Sequence, residues 1–274
     1  TSSATPVVSG VIALMLQANP DLTWRDVQHI LVNSAEKNDP SDPLWNTNAA
    51  GREFNRQYGF GRVDATAAVD FATHWINVSP EVSSSSPFIA SGAAMGDGNS
   101  GVPGTPVDIN YNETENITIE SVEIYIEATH AFRGDLRFTL TSPSGTSSEI
   151  YSARGGSDPF DGSFGWTVTS MEFWGEPSAG TWTIRGEDLL VGDLGTFDGF
   201  AIKFNGTEPV AGEFRVSIMA DENNGCTQGG CSLREAIIAA NAYGDGALVI
   251  IPGGTYNLSI AGTGEDAAAT GDLD

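Results

Sequence analysis

The chain has 274 residues, 40% of them hydrophobic, which is enough for two or three globular domains with buried cores. Its 36 acidic against 12 basic residues leave a formal net charge of −24, which repels phosphate backbones and argues against nucleic acid as a partner. No run of 18 apolar residues exists, the best candidate at Val7–Leu16 being broken by Ser9 and Gly10, so no membrane span is predicted in this segment. The acidic excess has two readings: solubility in a salty exterior, or carboxylates gathered around a hard cation such as calcium. The first residue is Thr1 rather than Met and the last are Gly271-Asp-Leu-Asp274, so the sequence reads as truncated at both ends and the lack of a leader carries no information.

Residues 1–76 carry helical signals. Pro6 suits the first turn of a helix that runs through Val7–Leu16 to a stop at Asn19-Pro20. This helix is apolar nearly all round, as expected of one buried in the middle of a larger domain. Thr23 is a predicted cap with Asp26 in capping-box position, followed by Trp24, Val27, Ile30 and Leu31 at helical spacing. Asp64 is the predicted cap of a third helix over residues 65–73. Three helices without a sheet read as the end of an α/β domain.

Residues 77–208 change to β texture. Ser83–Ser86 and Gly92–Pro106 read as linker or loop. Short alternating runs follow at Ile117–Ile119, Val122–Ile126, Leu136–Leu140, Trp166–Thr169, Thr181–Ile184 and Phe200–Phe204, separated by turns such as Ser142-Pro-Ser-Gly145. That spacing predicts an antiparallel sandwich or jelly roll, with Trp166, Trp174 and Trp182 in its core. Residues 213–274 show a strand at Phe214–Met219, a helix at Ser232–Ala242 and a second apolar run at Leu248–Ile251, the pattern of a solenoid's first coils. Cys226 and Cys231 have the wrong spacing for zinc; a local disulfide and two buried thiols both remain open.

The opening Thr1-Ser2-Ser3-Ala4-Thr5-Pro6 has two readings. One is a Ser/Thr-rich helix cap. The other is a serine nucleophile at a helix start, where free N–H groups and the positive dipole end stabilise an oxyanion. The hexapeptide resembles the nucleophile segment of subtilisin-like serine proteases. Leu22-Thr-Trp-Arg-Asp-Val-Gln-His-Ile-Leu-Val32 and Tyr58-Gly-Phe-Gly-Arg-Val-Asp-Ala65 resemble the closing helices of the kexin/furin subfamily. The sandwich resembles that subfamily's companion P domain, in Ile119–Ile126, Thr129–Leu136, Leu140–Thr146, Phe173–Thr183 and Gly195–Phe200. Cys231-Ser-Leu-Arg-Glu-Ala236 resembles the CSLREA segment that introduces a right-handed β-helix in large bacterial surface proteins.

The resemblance implies a mainly β chain: the last helices of a truncated subtilisin-like α/β domain over 1–76, a β-sandwich or jelly-roll P domain over 77–208, and a CSLREA-type β-helix start over 213–274. It implies Ser2 as the nucleophile of an exported serine endopeptidase, with the triad Asp and His upstream of Thr1 and the chain alone inactive. His29, His74 and His130 read as structural. The substrate is a protein or peptide, the P domain contacts and stabilises the catalytic domain, and the protein is secreted or on a cell surface, in a bacterium. Asp135 is the acid expected to be buried, as an ion-pair partner of Arg133 or Arg137 or as a structural calcium ligand with Asp158, Asp161 or Asp193. Arg133-Gly-Asp135 spells an integrin-type tripeptide and reads as coincidence. The alternative function is a non-catalytic binding, adhesion or structural module of a large bacterial surface protein.

Overall fold

The computed structural model describes residues 3–154, 159–209, 211–216, 220, 221, 223, 225, 226, 231–243, 247–251 and 256–260. Two compact units emerge: Glu81–Glu208, and Thr1–Pro80 together with Pro209–Asp274. Among the described residues no helix is long and apolar enough to cross a membrane.

In the N-terminal part, α1 (Ala4–Ala18) and α2 (Trp24–Ser34) precede a small hairpin, β1 (Trp45–Thr47) and β2 (Glu53–Asn55), and then α3 (Ala65–Thr73). The caps fall where the side-chain chemistry places them. Thr23 and Asp26 form the reciprocal capping box at α2, and Asp64 accepts from Thr66 N at 2.8 Å and Ala67 N at 3.0 Å at α3. Val11, Met15, Leu22, Ile30, Ala68, Phe71, Ala72 and Trp75 make the shared core. All-round burial of α1 is not what the chain shows: only Val11 and Met15 of this helix are buried, while Val7, Leu14 and Leu16 are exposed.

The second unit is an antiparallel β-sandwich. One sheet has the order β5 (Val107–Glu113), β10 (Gly180–Asp188), β7 (Leu136–Thr141), β8 (Ser147–Tyr151). The other has β3 (Val82–Ser85), β11 (Gly195–Thr207), β6 (Thr118–Phe132) and β9 (Pro159–Ser170), with β4 (Ile89–Met95) also on β11. Phe173, Trp182 and Phe204 meet in the centre, Trp182 lying 5.0 Å from Phe173 and 4.9 Å from Phe204, centroid to centroid. Phe138, Phe197, Phe200 and Ile124 continue the same core.

Three expectations need correction here. Ser83–Ser86 and the start of Gly92–Pro106 are not linker: they supply most of β3 and half of β4, which pair in tandem along one edge of β11. Serine and glycine lower strand propensity, but the backbone partners on β11 decide the conformation. The runs at Ile117–Ile119 and Val122–Ile126 belong to one segment, whose alternation is broken by a bulge that places Glu120 inside next to Ile119. Trp174 and Trp182 are buried as expected, but Trp166 is 56% exposed on β9, the edge strand of its sheet.

In the last part β12 (Glu213–Arg215) pairs in parallel with β13 (Leu248–Ile250), and α4 (Leu233–Tyr243) lies between them in sequence. This β-α-β connection is what two parallel neighbours require. Residues 217–219 of the expected Phe214–Met219 strand lie outside those described.

The contrast among the tryptophans is testable. Trp182→Ala should cost about 3–5 kcal/mol of the Glu81–Glu208 unit's stability through lost transfer energy and a cavity, whereas Trp166→Ala should cost under about 1 kcal/mol. Urea denaturation of the whole chain followed by circular dichroism compares the two, and equal losses would contradict the core assignment.

Candidate functional site

Ser2, the nucleophile that the sequence points to, lies outside the described residues. Its immediate setting is described. Ser3 occupies the N-cap position of α1 without a side-chain cap bond, and no acidic residue stands in the first turn. The cap role that competes with a nucleophile role is therefore not taken up by Ser3. The small residues further along are accounted for locally: Ser9 Oγ donates to the Thr5 carbonyl at 3.0 Å, and nothing crowds Gly10 within 4 Å of where a Cβ would be.

The three histidines sit in ordinary structural places. His29 is half-buried on α2 with its ring 6.4 Å from that of Trp75. His74 is the exposed C-cap of α3. His130, in the sandwich, has both ring nitrogens engaged: Nδ1 lies 2.8 Å from the Phe132 carbonyl oxygen and Nε2 lies 3.2 Å from Asp188 Oδ2.

That contact opens onto the second cluster. His130 near the end of β6, Asp188 at the end of β10 and Asp135 in the 3₁₀ turn Arg133–Asp135 come together as buried groups. Asp188 Oδ1 accepts from Leu190 N at 3.1 Å, and the Asp135 main-chain oxygen accepts from Leu189 N at 3.0 Å. Asp135 Oδ1 is buried without a hydrogen-bond partner. Burial pushes its carboxyl pKa up, and the negative charges of Asp188 and Asp193 add to the rise while His130 opposes it. Asp135 makes no ion pair among the described residues, and Arg137 donates instead to Glu187 at 2.8 Å. Gly134 and Asp135 are buried, so the Arg133-Gly-Asp135 tripeptide is not displayed on an open loop.

Of the expected calcium oxygens, Asp193 is half-buried and within electrostatic reach of Asp135. Asp158 and the Asp161 side chain lie outside the described residues. Among the described residues no three His, Cys, Asp or Glu side chains are grouped as metal ligands. Asp188 is the member that sequence reasoning missed, because a single acid ending the run Arg185-Gly-Glu-Asp188 carries no recognisable pattern.

In the C-terminal part, four residues of the Cys231–Ala236 motif have identifiable partners. Cys231 is bonded to Cys226. Ser232 and Glu235 cap α4 reciprocally, Glu235 Oε2 accepting from Ser232 N at 2.8 Å and Ser232 Oγ from Glu235 N at 3.3 Å. Glu235 Oε1 also accepts from Gly225 N at 2.9 Å. Arg234 donates twice to Asp221, at 2.7 and 3.1 Å, with both side chains fully buried. Asp221 accepts further from Ser259 N and Ile260 N, at 2.6 and 2.8 Å. One carboxylate thus ties the loop, the helix start and the segment after β13 together.

Comparison with known proteins fits this division. The subtilase family model matches residues 1–61, and the proprotein convertase P-domain model matches residues 119–204. Neuroendocrine convertase 2 of Drosophila melanogaster is 37% identical over 198 residues, 68% of this chain and 29% of that protein. Protease KEX1 of Kluyveromyces lactis is 31% identical over 209 residues, 75% of this chain and 28% of that protein. The chain thus spans less than a third of the length of these curated relatives. The crystal structure of a serine protease of Aeromonas sobria superposes with a TM-score of 0.63 at 25% identity, covering 75% of this chain and 44% of that one.

The Asp221–Arg234 pair makes the C-terminal part sensitive to acid. Hydrogen bonds from Arg234 hold the Asp221 carboxyl down at about 2, below the ordinary aspartate value. A depressed acid contributes stability above its unfolded pKa and loses it as pH falls through the folded one, so the contribution should disappear between about pH 4 and pH 2. Arg234→Ala leaves a buried carboxylate unpaired and should destabilise this part by about 3–5 kcal/mol at neutral pH. Hydrogen exchange of α4 amides between pH 2 and 7 would read both effects, and protection unchanged by either would refute the assignment.

Proposed function

We propose, from the kinship of this chain with subtilisin/kexin-type serine proteases that carry a P domain, that it is part of an exported serine endopeptidase whose nucleophile is Ser2. The observation that carries the reading is position: the subtilase match spans residues 1–61, and Ser2 immediately precedes Ser3, the N-cap residue of a 15-residue helix. Ser2 Oγ would attack a substrate peptide carbonyl, giving up its proton to a histidine base, and form an acyl-enzyme that water then hydrolyses. The first N–H groups of α1, which Ser3 does not cap, are suited to the negative oxygen of the tetrahedral intermediate. None of His29, His74 and His130 is suited to act as the base, so base and orienting acid belong to another part of the polypeptide. Protein or peptide chains are the substrates.

Several further roles complete the proposal. The P domain, residues 77–208, contacts and stabilises the catalytic domain; the exposed Val7, Leu14 and Leu16 of α1 support a catalytic domain larger than the helices described. The Cys226–Cys231 disulfide supports secretion or display at a cell surface, in a bacterium. The parallel β12–β13 pair supports the CSLREA-type segment as the opening of a right-handed β-helix. Calcium is proposed as a structural ion at Asp135, supported by its partnerless buried oxygen and the neighbouring acids. Bound there, a divalent cation would neutralise these crowded carboxylates; it takes no part in the acyl transfer.

A fluorophosphonate probe tests the central claim. The 274-residue chain alone should neither hydrolyse peptides nor be labelled at a measurable rate. The same chain joined to its native upstream sequence should be labelled at Ser2, and Ser2→Ala should abolish labelling and turnover. Turnover by the chain alone, lost in Ser2→Ala, would overturn the claim that the base lies elsewhere; labelling of another serine would overturn the nucleophile. For calcium, the thermal midpoint of the chain should rise on adding the ion and fall with a chelator, and Asp135→Asn should remove that response.

A further inference from the structure

The outer face of the β3–β11–β6–β9 sheet carries two exposed aromatic rings that the strand register places around one carboxylate. Gly199 of β11, Glu127 of β6 and Gly165 of β9 lie in a single cross-strand row. Phe88 packs over Gly199, where a Cβ would come within 2.6 Å of its ring, and Tyr125 packs over Gly165, where a Cβ would overlap its hydroxyl. The two rings are 6.2 Å apart at 57° to each other, and are 45% and 36% exposed. They form an open wedge seated on two glycines, with Tyr125 donating to Glu127 Oε2 at 3.4 Å.

The charges around the wedge are one-sided. Lys203, on the same face, is drawn to Glu123 at 3.4 Å. Asp198 accepts from Thr129 and Thr196, both at 2.6 Å, and neither it nor Glu127 has a cationic partner among the described residues. An exposed ring attracts a cation over its face, and two inclined rings beside a carboxylate are the recurring chemistry of ammonium recognition. A single open carboxylate favours a primary ammonium, which donates N–H to Glu127 while its other hydrogens stay in water. A quaternary ammonium has no such hydrogen to offer.

We infer that the Phe88–Tyr125–Glu127 wedge is a binding site for a primary alkylammonium group, the side chain of a lysine on a partner polypeptide. The glycines beneath the rings hold the wedge ready, and its openness makes it one weak anchor on a longer chain. This inference does not depend on Ser2 being a nucleophile.

The test is an NMR titration of the whole chain with Nα-acetyl-lysine methylamide, following the Phe88 and Tyr125 ring protons. Saturable shifts in roughly the millimolar range are expected, as exposed cation–π and ion-pair contacts are individually weak. Glu127→Gln should weaken binding about threefold, and Tyr125→Ser should abolish the shifts at Phe88. Gly165→Ala, which displaces the Tyr125 ring while leaving every charge in place, should weaken binding as well. Equal shifts from the neutral Nα,Nε-diacetyl analogue, or equal or tighter binding of choline, would overturn the proposal. So would unaltered binding by all three variants, each checked for an unchanged thermal midpoint, or shifts that depend on protein concentration and not on lysine.

Discussion

The pairing of β6 with β11 is the contact on which the sandwich depends. Thr196 through Thr207 run opposite Thr129 back to Thr118, and every other strand of that sheet attaches to one of these two. So long a ladder cannot keep a perfect alternation while the sheet twists, and it relaxes through irregularities at Phe197/Gly199 and Asn205/Gly206. Each has a visible consequence. The first frees Asp198 to bind Thr129 and Thr196 on the outer face and lets Gly199 lie under Phe88. The second turns Glu120 inward beside Ile119. The features that give the sheet its chemistry thus arise where its pairing has to yield.

Much of this architecture is legible in the residues, and the unread parts share a cause. Helix ends could be read because caps are local: Thr23 with Asp26, and Asp64 with the N–H groups that follow it, need no distant partner. The strands rich in Ile, Val and Phe could be read because one face is buried. β3 and β4 could not, since Val82–Ser85 and Ile89–Met95 hold few large side chains and exist through backbone bonds to a strand more than 100 residues on. Trp166 misled for a related reason. Its alternation with Val168 marks the inward face of β9, but β9 is an edge and the opposing sheet leaves Trp166 largely uncovered.

The site was legible in a different way. Nothing in the composition of Thr1–Pro6 separates a nucleophile from a helix cap. The reading came from the helices and sandwich that follow at family spacing, and those are the stretches that the two family models match. The geometry described stops short of Ser2 and adds only that Ser3 makes no side-chain cap bond. By contrast, the Asp188–His130–Asp135 group joins the end of β6 and the turn that follows it to the end of β10, 58 residues on from His130. Such a convergence has no signature until the fold exists.

The buried acids show how the chain manages its heavy negative charge. Asp26 pays for desolvation with four bonds, from Trp75 Nε1 and Val78 N on one oxygen and from Thr23 N and Oγ1 on the other. Burial alone would raise its pKa, but these donors together outweigh it and hold the carboxyl below its ordinary value. Asp221 achieves the same with Arg234 and two main-chain N–H groups. Each therefore acts as a pin whose charge is part of the fold. Asp135 is built otherwise, with one oxygen lacking a donor and like charges beside it. A group in that state favours whatever brings positive charge, a proton or a hard cation. Asp26 and Asp221 thus have their charge answered within the fold, whereas the Asp135 carboxylate is left with an unanswered oxygen.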